Sequence, residues 1–187
     1  RKIYSISDAV AKSCTHTIAI GELNLLEQKI SEAEEYKILK VKLGTEDDKK
    51  IIQQIRHYTD KPLLLDINRG WKSEEKVLEM LEWLSDKNIE LIEQPMPVEC
   101  KKEMETVRKI SPIPIFADES IQGINDLESV ANLFHGINLK LMKCGGLHEA
   151  VKIIDLAKKK NLKIMLGCMS ESSCGISAAT QLLSLTD

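Results

Sequence analysis

The chain has 187 residues, of which 43% are hydrophobic and 29% are charged, a balance typical of a globular protein with an apolar core. Its formal net charge of −3 gives no reason to expect nucleic acid or an anionic membrane as a partner. No apolar stretch is long enough to span a bilayer. The five cysteines form neither a Cys-x-x-Cys pair nor a regular framework, which is typical of reduced thiols. Composition therefore favours a cytoplasmic globular protein.

Short apolar runs, spaced almost evenly along the chain, predict β-strands. Several of them, such as Leu63-Leu64-Leu65, are apolar at every position, as expected for strands that are buried on both faces. The seven runs lie near residues 16–20, 38–43, 62–67, 89–93, 113–117, 137–141 and 162–166.

The segments between these runs have the spacing of amphipathic helices. In 74–83, Val77, Leu78 and Leu81 alternate with acidic residues, and an apolar stripe runs along 150–157. Strands and helices that alternate with a period of about 25 residues predict a βα repeat with a parallel sheet. The fold class we expect is α/β, a TIM-type (β/α) barrel. A doubly wound open sheet is the alternative, but it concentrates its ligands at one switch point rather than at every strand end.

The length of the chain limits how much of a barrel it can form. A complete barrel has eight strands and about 250 residues, whereas the sequence offers seven strand candidates in 187 residues. We therefore expect an incomplete barrel that lacks its closing strand. Residues 1–15 are expected to lead in from a missing N-terminal region, and residues 16–187 to form a partial barrel that is the catalytic domain.

Acidic residues end three successive strand candidates, namely Asp66, Glu93 and Asp118. At the carboxyl edge of a parallel barrel these side chains would converge and repel one another, and a hard divalent cation such as Mg²⁺ would relieve that repulsion. Asn68 lies on the same face as Asp66 and could orient one of these ligands. Taken singly, Asp66 or Asp118 could instead be the N-cap of the following helix.

Lysines flank the acidic residues in the chain. Lys40 and Lys42 lie two residues apart on one strand, so both side chains point to the same face, and each ammonium group should lower the pKa of the other. Lys140 ends a later strand, with Lys143 as a competitor for its role. The order places a base on each flank of a central cation, which suits removal of a proton from one face of a carbon and its return to the other. The cation would hold a substrate carboxylate and stabilise the enediolate.

The same stretches resemble the enolase superfamily in its muconate lactonising subgroup. The resemblance implies that Lys42 and Lys140 are the two acid/base residues, and that Asp66, Glu93 and Asp118 bind Mg²⁺. It also implies that the missing N-terminal region is a capping domain. The motifs that carry the resemblance are Lys-Val-Lys-Leu-Gly (40–44), Leu-Asp-Ile-Asn (65–68), Leu-Ile-Glu-Gln-Pro-Met-Pro (91–97), Ala-Asp-Glu-Ser (117–120) and Ile-Asn-Leu-Lys-Leu-Met-Lys-Cys-Gly-Gly-Leu (137–147).

Within this subgroup, the stretches 164–172 and 175–179 are most similar to dipeptide epimerases. This resemblance implies inversion of the α-carbon of the C-terminal residue in a dipeptide such as L-Ala-L-Glu. Thr17 and Lys40 match further substrate-contacting positions, and Cys168, at the end of strand seven, would lie near the ligand. In the family an Asp-x-Asp motif on strand eight binds the dipeptide ammonium group.

Two other classes of function remain open from the sequence. The chain could catalyse another reaction of the subgroup, such as muconate cycloisomerisation, o-succinylbenzoate synthesis or N-acylamino acid racemisation. It could also be a non-catalytic barrel used for binding, although that reading predicts a broken set of lysines and carboxylates and all five are present. A small-molecule substrate is the partner we expect, and a homo-oligomer is compatible with the sequence.

Overall fold

The computed structural model of the protein describes residues 12–19, 21 and 23–187. These residues divide into two compact units, the N-terminal unit of Ser13–Ile115 and the C-terminal unit of Lys12 with Phe116–Asp187. Most of the lead-in segment predicted for residues 1–15 lies outside the described residues. The assignment of residues 16–187 to one catalytic domain stays a prediction.

The N-terminal unit alternates four strands with four helices. Its strands are parallel and neighbour one another in chain order: β1 (Thr15–Ile18), β2 (Ile38–Lys42), β3 (Leu63–Asp66) and β4 (Ile89–Glu93). Its helices are α1 (Leu26–Glu32), α2 (Asp48–Tyr58), α3 (Glu74–Leu84) and α4 (Lys101–Ile110). A doubly wound sheet would reverse its strand order at a switch point, whereas this order runs forward throughout the unit.

The register of the strands places the charged strand ends side by side. Lys42 on β2 lies opposite Asp66 on β3, and Asp66 lies opposite Glu93 on β4. Two residues before Lys42 on the same strand, Lys40 lies opposite Thr17 on β1. Because paired positions in a sheet project to the same face, the register alone brings these side chains together.

Burial of apolar side chains holds strands and helices of this unit together. Leu63, Leu64 and Leu65 of β3 are all buried, which is the pattern of a strand that is covered on both faces. Helix α3 begins after Ser73, whose hydroxyl accepts a hydrogen bond from the backbone N–H of Lys76 at 3.2 Å. Its buried face repeats at helical spacing and consists of Val77, Met80, Leu81 and Leu84.

The C-terminal unit continues the alternation. Its strands are β5 (Ile115–Ala117, beginning at the last residue of the N-terminal unit), β6 (Gly136–Leu139) and β7 (Lys163–Leu166), with β6 parallel to both β5 and β7. Its helices are α5 (Leu127–Leu133), α6 (Leu141–Cys144), α7 (Leu147–Lys159) and α8 (Ser173–Thr180).

All seven predicted strands are found within the described residues, with differences at their ends. Strand β5 begins two residues later than predicted, at Ile115, and the residue before it is Pro114, which has no N–H to donate to a neighbouring strand. Strand β6 ends at Leu139, so Lys140 is the N-cap of α6 rather than a strand residue. No helix in the described part of the chain is both long and apolar enough to cross a membrane.

Candidate active site

One cluster of polar side chains forms at the carboxyl ends of β2, β3 and β4. This N-terminal cluster consists of Lys40, Lys42, Asp66, Asn68 and Glu93. The Nζ of Lys40 lies 2.8 Å from Asp66 Oδ2 and 2.7 Å from Glu93 Oε2. The Nζ of Lys42 donates to the same Asp66 Oδ2 at 2.7 Å and to Asn68 Oδ1 at 3.0 Å. The predicted common face of Lys40 and Lys42 is confirmed, because both reach one oxygen.

The carboxylates of this cluster are among the few buried acidic side chains of the N-terminal unit. Asp66 is 1% exposed and Glu93 is 0% exposed, so the lysines must compensate their charges. Burial by itself lowers the pKa of Lys40, but the charges of Glu93 and Asp66 and the hydrogen bonds with them outweigh it and raise that pKa above its ordinary value. The sequence-based expectation of a lowered pKa is therefore wrong for Lys40, because carboxylates rather than the second ammonium group dominate its surroundings.

Asn68 contacts both Asp66 and Lys42 from a strained turn. Its φ of 46° and the φ of 64° at Arg69 lie in the left-handed region, which costs a non-glycine residue about 1 kcal/mol or more. In this conformation the backbone N–H of Asn68 donates to Asp66 Oδ1 at 3.2 Å, while its side chain accepts from Lys42. Asn68 therefore contacts Asp66 through its backbone and Lys42 through its side chain.

A second cluster forms after β5 and β6. This C-terminal cluster consists of Asp118, Lys140 and Lys143. The Nζ of Lys140 lies 2.8 Å from Asp118 Oδ2, and the Nζ of Lys143 lies 2.7 Å from Asp118 Oδ1. Burial by itself raises the pKa of Asp118, but the hydrogen bonds and charges of the two lysines outweigh it and lower that pKa below its ordinary value. Both lysines reach the carboxylate, so the geometry of this cluster does not distinguish their roles.

Helix capping does not account for the acidic strand ends. The helix after β3 is capped by Ser73 rather than by Asp66. The carboxylate of Asp118 is contacted by two lysines. Asp66 and Asp118 each contact lysines instead of capping a helix, so the N-cap reading does not explain them.

The remaining predicted site residues lie close to the strand ends. Thr17 is an exposed side chain on β1, opposite Lys40. Cys168 is exposed and follows β7, and all five cysteines are free. The substrate contacts predicted for Thr17, Lys40 and Cys168 stay predictions.

Sequence reasoning missed Gln94, which follows Glu93 directly. Gln94 is fully buried with a φ of 38°, and its Nε2 donates to the carbonyl of Met96 at 3.0 Å. Its own carbonyl accepts from the N–H of Arg69 at 2.8 Å, which ties the loop after β4 to the loop after β3. The signal in the sequence was a polar residue between a strand end and Pro95, a position that usually reads as a surface turn.

The carboxylates of each cluster have the donor chemistry that suits Mg²⁺. Asp66, Glu93 and Asp118 offer buried carboxylate oxygens, which are the ligands that Mg²⁺ prefers. In the structure the lysine ammonium groups compensate these carboxylates. Within the part of the chain that the structure describes, no three or more His, Cys, Asp and Glu side chains are grouped as a ready metal centre. Convergence of the three carboxylates on one ion therefore stays a prediction.

Family comparison agrees with the strand pattern and the charged strand ends. Residues 24–187 match the family described as enolase C-terminal domain-like, and the chain belongs to this family. The match confirms the fold class and the resemblance to the enolase superfamily.

The chain is also similar to proteins named as epimerases. The chain is 45% identical over 181 residues to an L-Ala-D/L-Glu epimerase of Bacteroides thetaiotaomicron, covering 96% of this chain and 47% of the relative. It matches a dipeptide epimerase of Enterococcus faecalis solved with Mg and L-Leu-L-Tyr, with a TM-score of 0.87 and 32% identity over 94% of this chain and 52% of that one.

A third match is an enolase family member of Agrobacterium tumefaciens with bound sodium and L-Ala-L-Glu. Its TM-score is 0.90 at 28% identity, and the match covers 99% of this chain and 56% of that one. The chain thus spans about half the length of the proteins it matches.

Proposed function

We propose that the full-length gene product carrying this chain is a magnesium-dependent epimerase that inverts the α-carbon of a dipeptide such as L-Ala-L-Glu. The observation that carries the proposal is the contact between a lysine ammonium group and a buried strand-end carboxylate in each cluster. The distances are 2.7 Å for Lys42 and Asp66 and 2.8 Å for Lys140 and Asp118. The similarity to dipeptide epimerases supports the choice of substrate.

In this proposal Lys42 and Lys140 are the two bases. One lysine, in its neutral form, takes the α-proton from one face of the carbon, and the other, in its charged form, returns a proton to the opposite face. The direction of the reaction decides which lysine acts first. We assign the second base to Lys140 rather than Lys143, because Lys140 is the residue that matches the family motif.

The carboxylates Asp66, Glu93 and Asp118 would hold Mg²⁺. The bound ion supplies positive charge for the substrate carboxylate and for the enediolate that forms when the α-proton leaves. Asn68 orients Asp66 through its backbone N–H, which donates at 3.2 Å.

Three further residues of the chain would contact the dipeptide. Lys40 lies 2.7 Å from Glu93 and 2.8 Å from Asp66, so its ammonium group would add positive charge beside the substrate carboxylate. Thr17 lies opposite Lys40 and would donate its hydroxyl. Cys168, exposed after β7, would line the pocket for the dipeptide. A cytoplasmic location is part of this proposal and is consistent with the free cysteines.

The test is epimerisation by the full-length gene product. L-Ala-L-Glu is incubated in D₂O with Mg²⁺, and ¹H NMR follows the appearance of L-Ala-D-Glu together with loss of the glutamate α-proton signal. We expect both, and we expect EDTA to abolish both. N-acetyl and N-succinyl amino acids serve as comparison substrates. Activity on these alone would assign a racemase instead, and inertness toward a panel of dipeptides would overturn the proposal.

A further inference from the structure

Asp48, in the first turn of α2, is a buried carboxylate that the proposed reaction does not use. Its side chain is 2% exposed. Its Oδ1 accepts from the N–H of Gly44 at 2.9 Å, from the N–H of Thr45 at 2.8 Å and from the Thr45 hydroxyl at 3.1 Å. Its Oδ2 accepts from the Gly44 N–H at 3.1 Å and from the indole Nε1–H of Trp71 at 2.8 Å. These donors are neutral, and such a network is favourable only when it is complete.

These hydrogen bonds fasten the loop after β2 to the loop after β3. The backbones of the two loops also touch, since a Cβ on Gly70 would lie 2.3 Å from the Cα of Gly44. Gly44 has a φ of +100°, which residues with a side chain rarely adopt, so glycine suits this close contact.

The same arrangement extends to the loop after β4. The N–H of Trp71 donates to the carbonyl of Pro95 at 3.0 Å, one residue after the Gln94 carbonyl that accepts from Arg69. Trp71 therefore contacts Asp48 of α2 through its indole and the loop after β4 through its backbone. The strands that lead into these three loops end in Lys42, Asp66 and Glu93.

Lys42 ends the strand that leads into the loop held by Asp48. Its side chain is 33% exposed, and Asp66 and Asn68 are its hydrogen-bond acceptors. A divalent cation on Asp66 would compete with the Lys42 ammonium group for that carboxylate and weaken their contact. The backbone just beyond Lys42, at Gly44 and Thr45, is held by Asp48 instead.

We infer that the Asp48–Trp71 pair is a positioning device for Lys42, fixing the loop that follows the base against the loop that follows Asp66. This inference rests on the proposed function, because it assigns a role in that reaction. A displacement of about 1 Å at a reacting group can cost about 100-fold in rate. Weakening the pair should therefore impair the proton transfers of Lys42 and spare those of Lys140, which follows a different strand.

The test compares exchange of the α-proton with solvent deuterium in the two diastereomers L-Ala-L-Glu and L-Ala-D-Glu. Lys42→Ala first identifies the diastereomer whose exchange depends on Lys42. Trp71→Phe then removes the indole N–H and keeps a buried aromatic ring. Thr45→Val, at an exposed position, removes the hydroxyl that donates to Asp48 at 3.1 Å and accepts from the Asp47 N–H at 3.2 Å, and we expect the variant to fold. Trp83→Phe is the matched control, because that half-buried ring lies on α3 beside Lys49 and Lys87.

We expect Trp71→Phe to lower exchange of the Lys42-dependent diastereomer about 10- to 100-fold and to change the other by less than about twofold. Thr45→Val should shift the ratio of the exchange rates of the two diastereomers in the same direction by a smaller factor. Trp83→Phe should leave this ratio unchanged.

Equal losses for both diastereomers would assign the pair a purely structural role and overturn the inference, as would an unchanged ratio in both variants. If Trp71→Phe fails to fold, the ratio in Thr45→Val decides alone. Failure of the wild-type protein to epimerise any dipeptide would instead overturn the proposed function.

Discussion

Replacement of Lys40 by Met tests whether the charges of the N-terminal cluster are balanced as the structure indicates. Lys40 is 15% exposed and lies within 2.8 Å of two buried carboxylates, Asp66 and Glu93. Removing one partner of a buried ion pair costs about 3–5 kcal/mol, because the remaining charge loses its compensation. Lys42 still contacts Asp66 in the variant, so we expect the lower end, about 3 kcal/mol.

For 150–250 residues a loss of about 3 kcal/mol lowers Tm by about 6–12 °C, and the shift is smaller in a longer protein, so we expect the full-length variant to lose several degrees. The assay is thermal unfolding of the full-length protein by circular dichroism in EDTA and in Mg²⁺. Mg²⁺ should raise the Tm of Lys40→Met more than that of the wild type, since the ion replaces the lost positive charge and meets less repulsion.

Lys109→Met is the matched control, because Lys109 pairs with Glu105 on an exposed helix face and its loss should leave Tm unchanged. A Tm for Lys40→Met equal to that of this control, or an equal Mg²⁺ effect on variant and wild type, would refute the reasoning.

Two other predictions concern the loop contact and the identity of the second base. Gly70→Ala should lower Tm by several degrees, because its Cβ would meet the backbone of Gly44 at 2.3 Å. Gly123→Ala should be neutral, because its Cβ would meet nothing within 4 Å. Equal Tm values for the two variants would contradict this prediction. Lys140→Met should abolish epimerisation of L-Ala-L-Glu while Lys143→Met retains measurable turnover, and the opposite result would move the second base to Lys143.

The strand ends could be predicted from the sequence because they follow from periodicity. Three neighbouring apolar runs of similar spacing end in Lys42, Asp66 and Glu93, and the structure has Lys42 opposite Asp66 and Asp66 opposite Glu93. The ambiguity between Lys140 and Lys143 has a physical origin. Strand β6 ends before Lys140 and a helical turn follows, so residues three apart lie on one face and both reach Asp118.

The contacts between loops could not be predicted in this way. Asp48 and Trp71 are 23 residues apart and belong to no repeating pattern, so only the folded loops reveal their hydrogen bond. The raised pKa of Lys40 likewise depends on the distances to Glu93 and Asp66, which a strand pattern does not contain. The periodicity of the sequence indicates which residue ends each strand. Which side chains then form hydrogen bonds depends on the conformation of the loops between the strands.

The most direct test of the two-base proposal is α-proton exchange by Lys42→Ala and Lys140→Ala, measured separately on L-Ala-L-Glu and L-Ala-D-Glu in D₂O by NMR. We predict that neither variant epimerises, that Lys42→Ala still exchanges the α-proton of one diastereomer, and that Lys140→Ala exchanges only that of the other. Loss of exchange from both diastereomers in one variant, with full exchange in the other, would indicate a single base. Unchanged epimerisation in either variant would contradict the assignment of that lysine.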